Sequence, residues 1–195
     1  MILPDKNEYY IIGKYRFTNY VYLPLEKKME ILKWRNQDIV RTKMYDNNII
    51  SINSHLNFID NLVNKKDCSY WYVEKDGSYI GSYNITNYNE INQSCESGVF
   101  FKNTDLSGLQ EIINMTKVVY DFSFINMNIR LMNGYTKKTN NFMVNLLLFF
   151  GFTFKTITED DYVEVEMTQE NYLNKVYKRD INIRDFFKYI KKYKK

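Results

Sequence analysis

The pattern of apolar and polar positions in the first third of the chain predicts a strand followed by two helices. The segment from Tyr15 to Tyr22 alternates and is rich in aromatic and β-branched residues, which is typical of a strand. Pro24 suits the first turn of a helix, and apolar residues follow it at helical spacing. Asn53 or Ser54 can cap a second amphipathic helix.

The middle of the chain predicts three further strands. Tyr70 to Lys75 and Tyr79 to Thr86 flank the pair Asp76-Gly77. An Asp-Gly pair between two such segments is a strong short-range signal for a β-hairpin. A polar break then leads to a predicted strand from Cys95 to Phe101.

The second half predicts a helix, a strand, a helix and a final hairpin. From Leu109 the apolar residues fall at helical spacing, and Ile129 to Tyr135 is predicted to be a strand. Strand, helix and strand in this order imply a parallel crossover. Thr139 to Phe150 is apolar almost all round, so a buried helix is expected there. Thr153 to Thr156 and Tyr162 to Met167 can form the hairpin.

The length of 195 residues allows one well-buried core and is too short for two full domains. We therefore expect one domain with terminal extensions. The tail from Gln169 to Lys195 predicts one or two helices with an apolar face. That face can pack on the body of the protein or on a partner, and the sequence leaves both options open.

The net charge of +4 is modest, and much of the excess lies between Lys188 and Lys195. The body of the chain is close to neutral, so a dedicated nucleic-acid-binding protein is not indicated. The basic tail is either a solvated helix face or a contact for phosphates or a membrane surface.

Few residues are suited to metal binding or cross-linking. The chain has two cysteines, Cys68 and Cys95, without a Cys-x-x-Cys pair, and one histidine. This composition supports neither a disulfide scaffold nor a structural zinc site, and no metal is predicted. The longest apolar run, Leu146 to Phe150, is far below the ~20 residues of a membrane span. A soluble, cytoplasmic protein is expected.

One loop has the composition of a phosphate cradle. Backbone N–H groups at a glycine-containing loop that opens a helix attract phosphate, because the helix N-terminus carries orphan donors and partial positive charge. The alternative is an ordinary capped helix with a glycine in the turn. The candidate loop consists of Leu106, Ser107, Gly108, Leu109 and Gln110.

The order of elements resembles the GCN5-related N-acetyltransferase fold. Trp34-Arg35-Asn36, the run from His55 to Ile59 and the run from Ser94 to Gly98 look like the flagellin-modification acetyltransferase family of the pseudaminic acid pathway. That family transfers acetyl from acetyl-CoA to the 4-amino group of a UDP-linked amino sugar. The same skeleton occurs in acetyltransferases of ribosomal protein N-termini and in microcin-type nucleotide acetyltransferases.

The resemblance implies an α/β fold with a mixed central sheet of about six to seven strands and helices on both faces. It covers about Tyr15 to Met167, which defines a domain at 15–167 between an N-terminal extension, 1–14, and a C-terminal extension, 168–195. The implied partners are acetyl-CoA and a small amine, with a UDP-linked amino sugar as the expected acceptor. Neither a nucleic acid nor a membrane span is implied, and a homodimer is left open.

The resemblance also implies roles for residues along the cofactor. Backbone donors near Val99 and Phe100 would hold the pantetheine chain and polarise the thioester carbonyl. Glu96 would remove the amine proton directly or through water. Asn140 would contact the cofactor arm. The alternatives are an ordinary strand carboxylate at Glu96 and a helix cap at Asn140.

The chain departs from the family pattern at three positions. Asp105 replaces a basic or amide residue before the loop glycine, and Gln110 replaces a small residue after it. Leu147 stands where the family has the tyrosine that protonates the CoA thiolate. Tyr135, at the end of the preceding strand, or a water molecule is the predicted substitute acid.

The acceptor site is implied by residues of the first half. Arg35 and His55 match positions that the family uses around the nucleotide, where a guanidinium can hold phosphate and an imidazole can donate or stack. Aromatic residues can wall the sugar site or simply belong to the core, and both options remain. These residues are Trp34, Phe58, Trp71 and Tyr83.

The sequence is compatible with three functions. The first is acetyl transfer to a nucleotide-linked amino sugar, and the second is acetyl transfer to a protein N-terminus or a small amine. The third is a non-catalytic relative that binds a ligand or partner. The first is favoured by the matches at Arg35, His55, Glu96 and Asn140. The third is favoured by Asp105, Gln110 and Leu147.

Overall fold

A computed structural model describes residues 8–102 and 108–193 of the chain. These residues form two compact units. The first unit contains residues 8–90 and 96–102, and the second contains residues 91–95 and 108–193.

The first unit is built on five strands that follow one another across the sheet in chain order, and the first four of them pair antiparallel. Asp76 and Gly77, between β3 (Ser69–Lys75) and β4 (Ser78–Asn89), have φ of 49° and 77°. Two positive φ angles are what a tight two-residue hairpin turn requires, so the predicted hairpin is confirmed. The strands are β1 (Tyr9–Ile12), β2 (Tyr15–Asn19), β3 (Ser69–Lys75), β4 (Ser78–Asn89) and β5 (Ser94–Phe101).

Three helices connect β2 to β3: α1 (Leu25–Arg35), α2 (Asp38–Arg41) and α3 (Ile52–Asn61). Helix α1 begins directly after Pro24, as predicted. Ser51 caps α3, because its hydroxyl accepts from the Ser54 N–H at 3.1 Å. The cap lies two to three residues before the predicted one.

The core of the first unit lies between the sheet and the helices. Trp71 and Tyr83 face the other side of β3 and β4, where their rings stack at 5.7 Å, because successive strand residues alternate between faces. The cluster on the helix side consists of Tyr20, Leu23, Ile31, Ile59, Leu62, Tyr72 and Tyr79.

In the second unit the strand order is β6-β8-β7, with antiparallel pairing on both sides of β8. Gly134 on β6 leaves room for the side chain of its cross-strand partner, since an added Cβ would lie 3.2 Å from Val165 Cγ2. Leu147 lies on the same side, 4.0 Å from that added Cβ. The elements are α4 (Leu109–Asp121), β6 (Leu131–Lys137), α5 (Asn141–Phe149), β7 (Thr153–Ile157), β8 (Tyr162–Thr168), α6 (Gln169–Tyr172) and α7 (Ile183–Tyr193).

The C-terminal extension packs on the body of the second unit. Tyr172 is fully buried, and its hydroxyl donates to the Asp121 carboxylate at 2.5 Å. Phe186 of α7 is also buried and makes edge-to-face contacts with Phe142 and Phe149 of α5. Of the two options that the sequence left open, packing on the body is the one observed for these residues.

The α/β fold class is confirmed, with eight strands in the described residues against the six to seven expected. The strand β1 lies within 1–14, the stretch assigned to an N-terminal extension. The predicted strand from Tyr15 ends early, because the Asn19 side chain accepts from the Val21 N–H at 3.1 Å and starts a 3-10 turn. No helix in residues 8–102 and 108–193 has the length and apolar character that a membrane span needs.

Candidate functional site

Three polar side chains on one face of β3, β4 and β5 have no side-chain hydrogen bond to any residue that the structure describes: Tyr70, Asn84 and Glu96. Tyr70 and Asn84 are a cross-strand pair. An added Cβ at Gly98 would lie 2.7 Å from Asn84 Oδ1, so Gly98 shares this face. Glu96 is two residues before Gly98 and therefore points the same way. We call these four residues the polar face.

Aromatic rings flank the polar face. The Tyr70 ring lies 5.8 Å from the ring of Tyr20 and 5.1 Å from that of Phe58. Burial raises the pKa of Tyr70 to about 12, so its phenol is protonated at neutral pH and can donate a hydrogen bond. The ring of Phe100 on β5 packs, partly buried, against the apolar cluster of the first unit.

One guanidinium nitrogen of Arg35 has no acceptor among the described residues. Its Nη2 donates to the Asp46 carbonyl at 2.7 Å, whereas its Nη1 is buried without a hydrogen-bond partner among the described residues. Burial lowers the pKa of Arg35, and the nearby Asp46 charge opposes this shift. A buried donor without an acceptor is unfavourable, so an anion that reached Nη1 would be bound favourably.

The neighbours of Arg35 in the Trp34-Arg35-Asn36 motif have structural partners. Asn36 Nδ2 donates to the Ile50 carbonyl at 2.8 Å, and the Ile50 N–H donates back to Asn36 Oδ1 at 2.9 Å. This pair holds the chain that leads into the Ser51 cap. Trp34 is partly buried, and the Lys102 ammonium lies 5.1 Å from its ring centroid.

Two predicted acceptor residues lie in the core instead. His55 is 5% exposed, and its Nε2 donates to the Lys28 carbonyl at 2.9 Å, which ties α3 to α1. Burial lowers the pKa of His55, so the ring is neutral at pH 7. Tyr83 is 1% exposed beneath Trp71. Direct contact with a substrate does not fit these positions, and the packing alternatives do.

The start of α4 is the candidate phosphate cradle in the second unit. Gly108 occupies the N-cap position without a side-chain cap bond, and Leu109 is buried. Gln110 Oε1 accepts from the Ile183 N–H at 3.0 Å, and its Nε2 donates to Asn114 at 2.9 Å. The Gln110 side chain is therefore engaged by α7 and by its own helix. Leu106, Ser107 and Asp105 lie outside the described residues.

Asn140 and Tyr135 have partners of their own. Asn140 Oδ1 accepts from the Met143 N–H at 3.4 Å, which is the helix cap that the sequence kept as an alternative. The Tyr135 hydroxyl donates to Glu164 at 3.2 Å on the face of β6 opposite Gly134. Leu147 is buried on the Gly134 side. Tyr135 therefore does not occupy the space of Leu147. Its position argues against the acid role that the sequence predicts for it, and mutagenesis can test that role.

The sequence did not single out Tyr70 or Asn84. Strands disfavour Asn, so Asn84 gave a weak signal, but Asn87 and Asn89 of the same strand give it equally. Tyr70 gave no such signal in a chain with 18 tyrosines. The backbone roles predicted for Val99 and Phe100 in β5 stay predictions.

Comparison with known proteins identifies the fold. No family model matches the chain, and no curated protein matches it in sequence. The N-acetyltransferase PseH of Campylobacter jejuni in complex with acetyl coenzyme A is 22% identical, with a TM-score of 0.62 over 80% of this chain and 99% of that chain.

Two further solved structures have similar folds. Spermidine N-acetyltransferase from Vibrio cholerae with CoA and spermine is 16% identical, with a TM-score of 0.71 over 84% of this chain and 100% of that chain. RimJ of Mycobacterium smegmatis with CoA-disulfide is 13% identical, with a TM-score of 0.68 over 80% and 82%. The chain therefore has the fold of these N-acetyltransferases, as the resemblance to the GCN5-related proteins predicts.

Proposed function

We propose that this chain is an acetyl-CoA-dependent N-acetyltransferase that acetylates the amine of a nucleotide-linked amino sugar. The fold shared with PseH and with spermidine N-acetyltransferase supports the reaction type. The observation that carries the proposal is the polar face, where hydroxyl, amide and carboxylate groups lack partners among the described residues.

The polar face offers the groups that an amine acceptor needs. An ammonium must lose a proton before it can attack a carbonyl, and the Glu96 carboxylate can take that proton directly or through water. The Asn84 amide can donate and accept at once, which suits a sugar hydroxyl or the amine itself. Tyr70 supplies a neutral hydroxyl beside Asn84.

Arg35 favours an anionic acceptor over a polyamine. Its buried, unpartnered Nη1 is a donor for phosphate, and the same positive charge repels an ammonium group. This supports a nucleotide-linked sugar rather than a substrate like the spermine bound by the Vibrio cholerae enzyme.

The start of α4 fits a diphosphate, because its N-cap residue is a glycine without a side chain of its own and the Gln110 side chain is held by α7. Acetyl-CoA, when bound, supplies an activated acetyl thioester. In this proposal the first-turn N–H groups from Gly108 to Gln110 hold phosphate, together with Leu106 and Ser107. Backbone donors at Val99 and Phe100 polarise the carbonyl, a contribution of typically ~3 kcal/mol. The Asn140 amide group contacts the cofactor arm while Oδ1 caps α5.

A second candidate, a non-catalytic ligand-binding relative, is favoured by one observation. Leu147 packs near Gly134 where the family pattern places a phenol, so this position offers no acid. Loss of a general acid typically costs about 10²- to 10⁴-fold in rate. Because a thiolate is a tolerable leaving group, slow transfer remains compatible with Leu147.

Calorimetric titration with acetyl-CoA, followed by a thiol-release assay, tests the proposal. Acceptors would be a UDP-linked 4-amino sugar, spermidine and a short peptide with a free N-terminus. We expect binding, with release fastest for the nucleotide sugar. Absence of binding at millimolar acetyl-CoA rejects both acetyltransferase functions, and binding without release to any acceptor supports the non-catalytic relative.

A cytoplasmic location belongs to the same proposal. Cys68 and Cys95 form no disulfide with a described residue, and reduced cysteines are usual in a reducing compartment. Both proposed substrates, acetyl-CoA and the nucleotide-linked sugar, must be present in the compartment where the protein acts.

A further inference from the structure

A cavity of about 440 Å³ opens in the second unit between the end of α5, the π-helical turn Leu173–Tyr177 and the helix α7. The volume lies within the ~300–1,000 Å³ of small-molecule sites. Charged and aromatic side chains line it: Phe149, Lys175, Arg179, Asp185, Lys188 and Tyr189.

The charge of this cavity is unbalanced. Lys175, Arg179 and Lys188 contribute three positive charges against one negative charge from Asp185. None of the three cations is within ion-pair distance of a carboxylate in the part of the chain that the structure describes. Their mutual repulsion is relieved when an anion binds between them.

The π-helical turn also orients the guanidinium of Arg179. Arg179 Nη1 donates to the Lys175 carbonyl at 3.3 Å, which anchors the guanidinium beside the π-helical turn and leaves its other N–H groups available. A guanidinium fork matches the oxygen geometry of phosphate, and lysine ammonium groups add point charges.

Apolar surface lies next to the cations. The rings of Phe149 and Tyr189 meet edge to face at 5.6 Å in the cavity wall. Gly151 also lines the cavity, and its φ of 89° is one that glycine adopts readily. A ligand with a phosphate and an organic ring system would satisfy both parts of the lining.

We infer that this cavity binds a small phosphate ester, with its phosphate between Lys175, Arg179 and Lys188 and its organic part against Tyr189. The site is separate from the start of α4 and from the polar face in the residues that form it. It takes a ligand beyond the substrates of the proposed acetyl transfer.

A different role for the cations makes a distinct prediction. Helix α5 has no basic residue in its last turn, and nearby lysines stabilise the partial negative charge at a helix C-terminus. If Lys175 serves only that purpose, neutralising it lowers thermal stability and changes no ligand affinity.

The test is calorimetric titration of the full chain with ADP and with inorganic pyrophosphate, in the presence of saturating acetyl-CoA, which occupies the proposed cradle at the start of α4. The affinity for acetyl-CoA is measured separately. Lys175→Gln/Arg179→Gln removes two cavity charges. The control Lys178→Gln/Lys191→Gln removes two charges of the same extension that do not line the cavity. We expect the affinity for ADP to fall at least about tenfold in the cavity variant and less than about twofold in the control. The affinity for acetyl-CoA should change less than about twofold in both.

Three outcomes overturn the inference. They are no binding of ADP or pyrophosphate at 150 mM salt, equal weakening in both double variants, or a lower melting temperature without a change in affinity. Circular dichroism of each variant verifies folding, and Lys188→Gln, on a different element, must reproduce the weakening. Loss of acetyl-CoA binding alone would count against the proposed function and not against this cavity.

Discussion

Gly98→Ala should separate the chemistry of the polar face from the stability of the sheet. The new Cβ would lie 2.7 Å from Asn84 Oδ1, 3.0 Å from Nδ2 and 3.2 Å from Cγ. All three atoms belong to the end of a side chain that makes no hydrogen bond to another described residue. Asn84 can therefore turn away, and the backbone need not move.

The expected change in stability is small. Turning Asn84 away from its present rotamer costs roughly 0.5–1.5 kcal/mol. Replacing glycine by alanine at a position without a positive φ gains roughly 0.4–1 kcal/mol by restricting the unfolded chain. The two effects nearly cancel, so urea unfolding should give a free energy within about 1 kcal/mol of the parent protein.

The expected change in activity is larger. If the Asn84 amide binds the acceptor, displacing it removes one or two hydrogen bonds of about 0.5–1.5 kcal/mol each. The value of kcat/KM in the thiol-release assay should then fall about tenfold, which corresponds to about 1.4 kcal/mol. The affinity for acetyl-CoA, measured by calorimetry, should stay within about twofold.

Asn84→Ala supplies the matched control. It removes the amide and makes room for the new methyl group, so Gly98→Ala added to it should cause little further loss of activity. The reasoning is refuted if Gly98→Ala loses more than about 3 kcal/mol of stability, or if activity is unchanged in both single variants.

Three further predictions follow. Gln110→Ala should lower stability by about 1–2 kcal/mol and speed hydrogen exchange of the Ile183 amide, whereas Gln110→Glu should protect that amide. Burial lowers the pKa of His55 below the ordinary histidine value of 6.5, so the unfolded chain binds more protons than the folded chain just below pH 6.5. The free energy of unfolding in urea should therefore fall as the pH drops below 6.5, and His55→Gln should flatten this slope. Glu96→Gln should lower kcat at least about 10²-fold, and the control Glu90→Gln should leave kcat unchanged. Tyr135→Phe should also leave kcat nearly unchanged, because the Tyr135 hydroxyl is bonded to Glu164.

Local chemistry made some elements predictable. The Asp76-Gly77 turn and the end of α5 at Gly151 both depend on positive φ angles, which these residue types adopt readily. Asn140 likewise caps α5 through its own neighbouring backbone. Such signals involve residues within a few positions of one another, so they can be identified in the sequence.

Contacts between distant residues explain what the sequence did not predict. The cap of α3 falls at Ser51 because Asn36 holds the Ile50 backbone across 14 positions. Gln110, interpreted as an obstacle in a phosphate loop, is bonded to Ile183, which lies 73 positions away. Neither partner can be identified from periodicity, because both bonds depend on tertiary packing.

The candidate site shows the same limit. Arg35 and Glu96 each keep a side-chain group without a partner among the described residues, as their predicted roles need, whereas His55 and Tyr83 are buried. In a chain with 17% aromatic residues, an aromatic match to a family carries little information about exposure. The polar face depends on strand register, which places Tyr70 opposite Asn84.

Leu147 stands where the resemblance implies a tyrosine acid, and its neighbours explain why Tyr135 cannot take that place. Its side chain fills space beside Gly134, next to Val165 and Phe152, and a phenol on the opposite face of β6 cannot enter that space without crossing the strand. A transferase built this way must release its thiolate without a tyrosine at this position. Its rate would then depend on how well Glu96 deprotonates the amine and how well the backbone donors of β5 polarise the carbonyl.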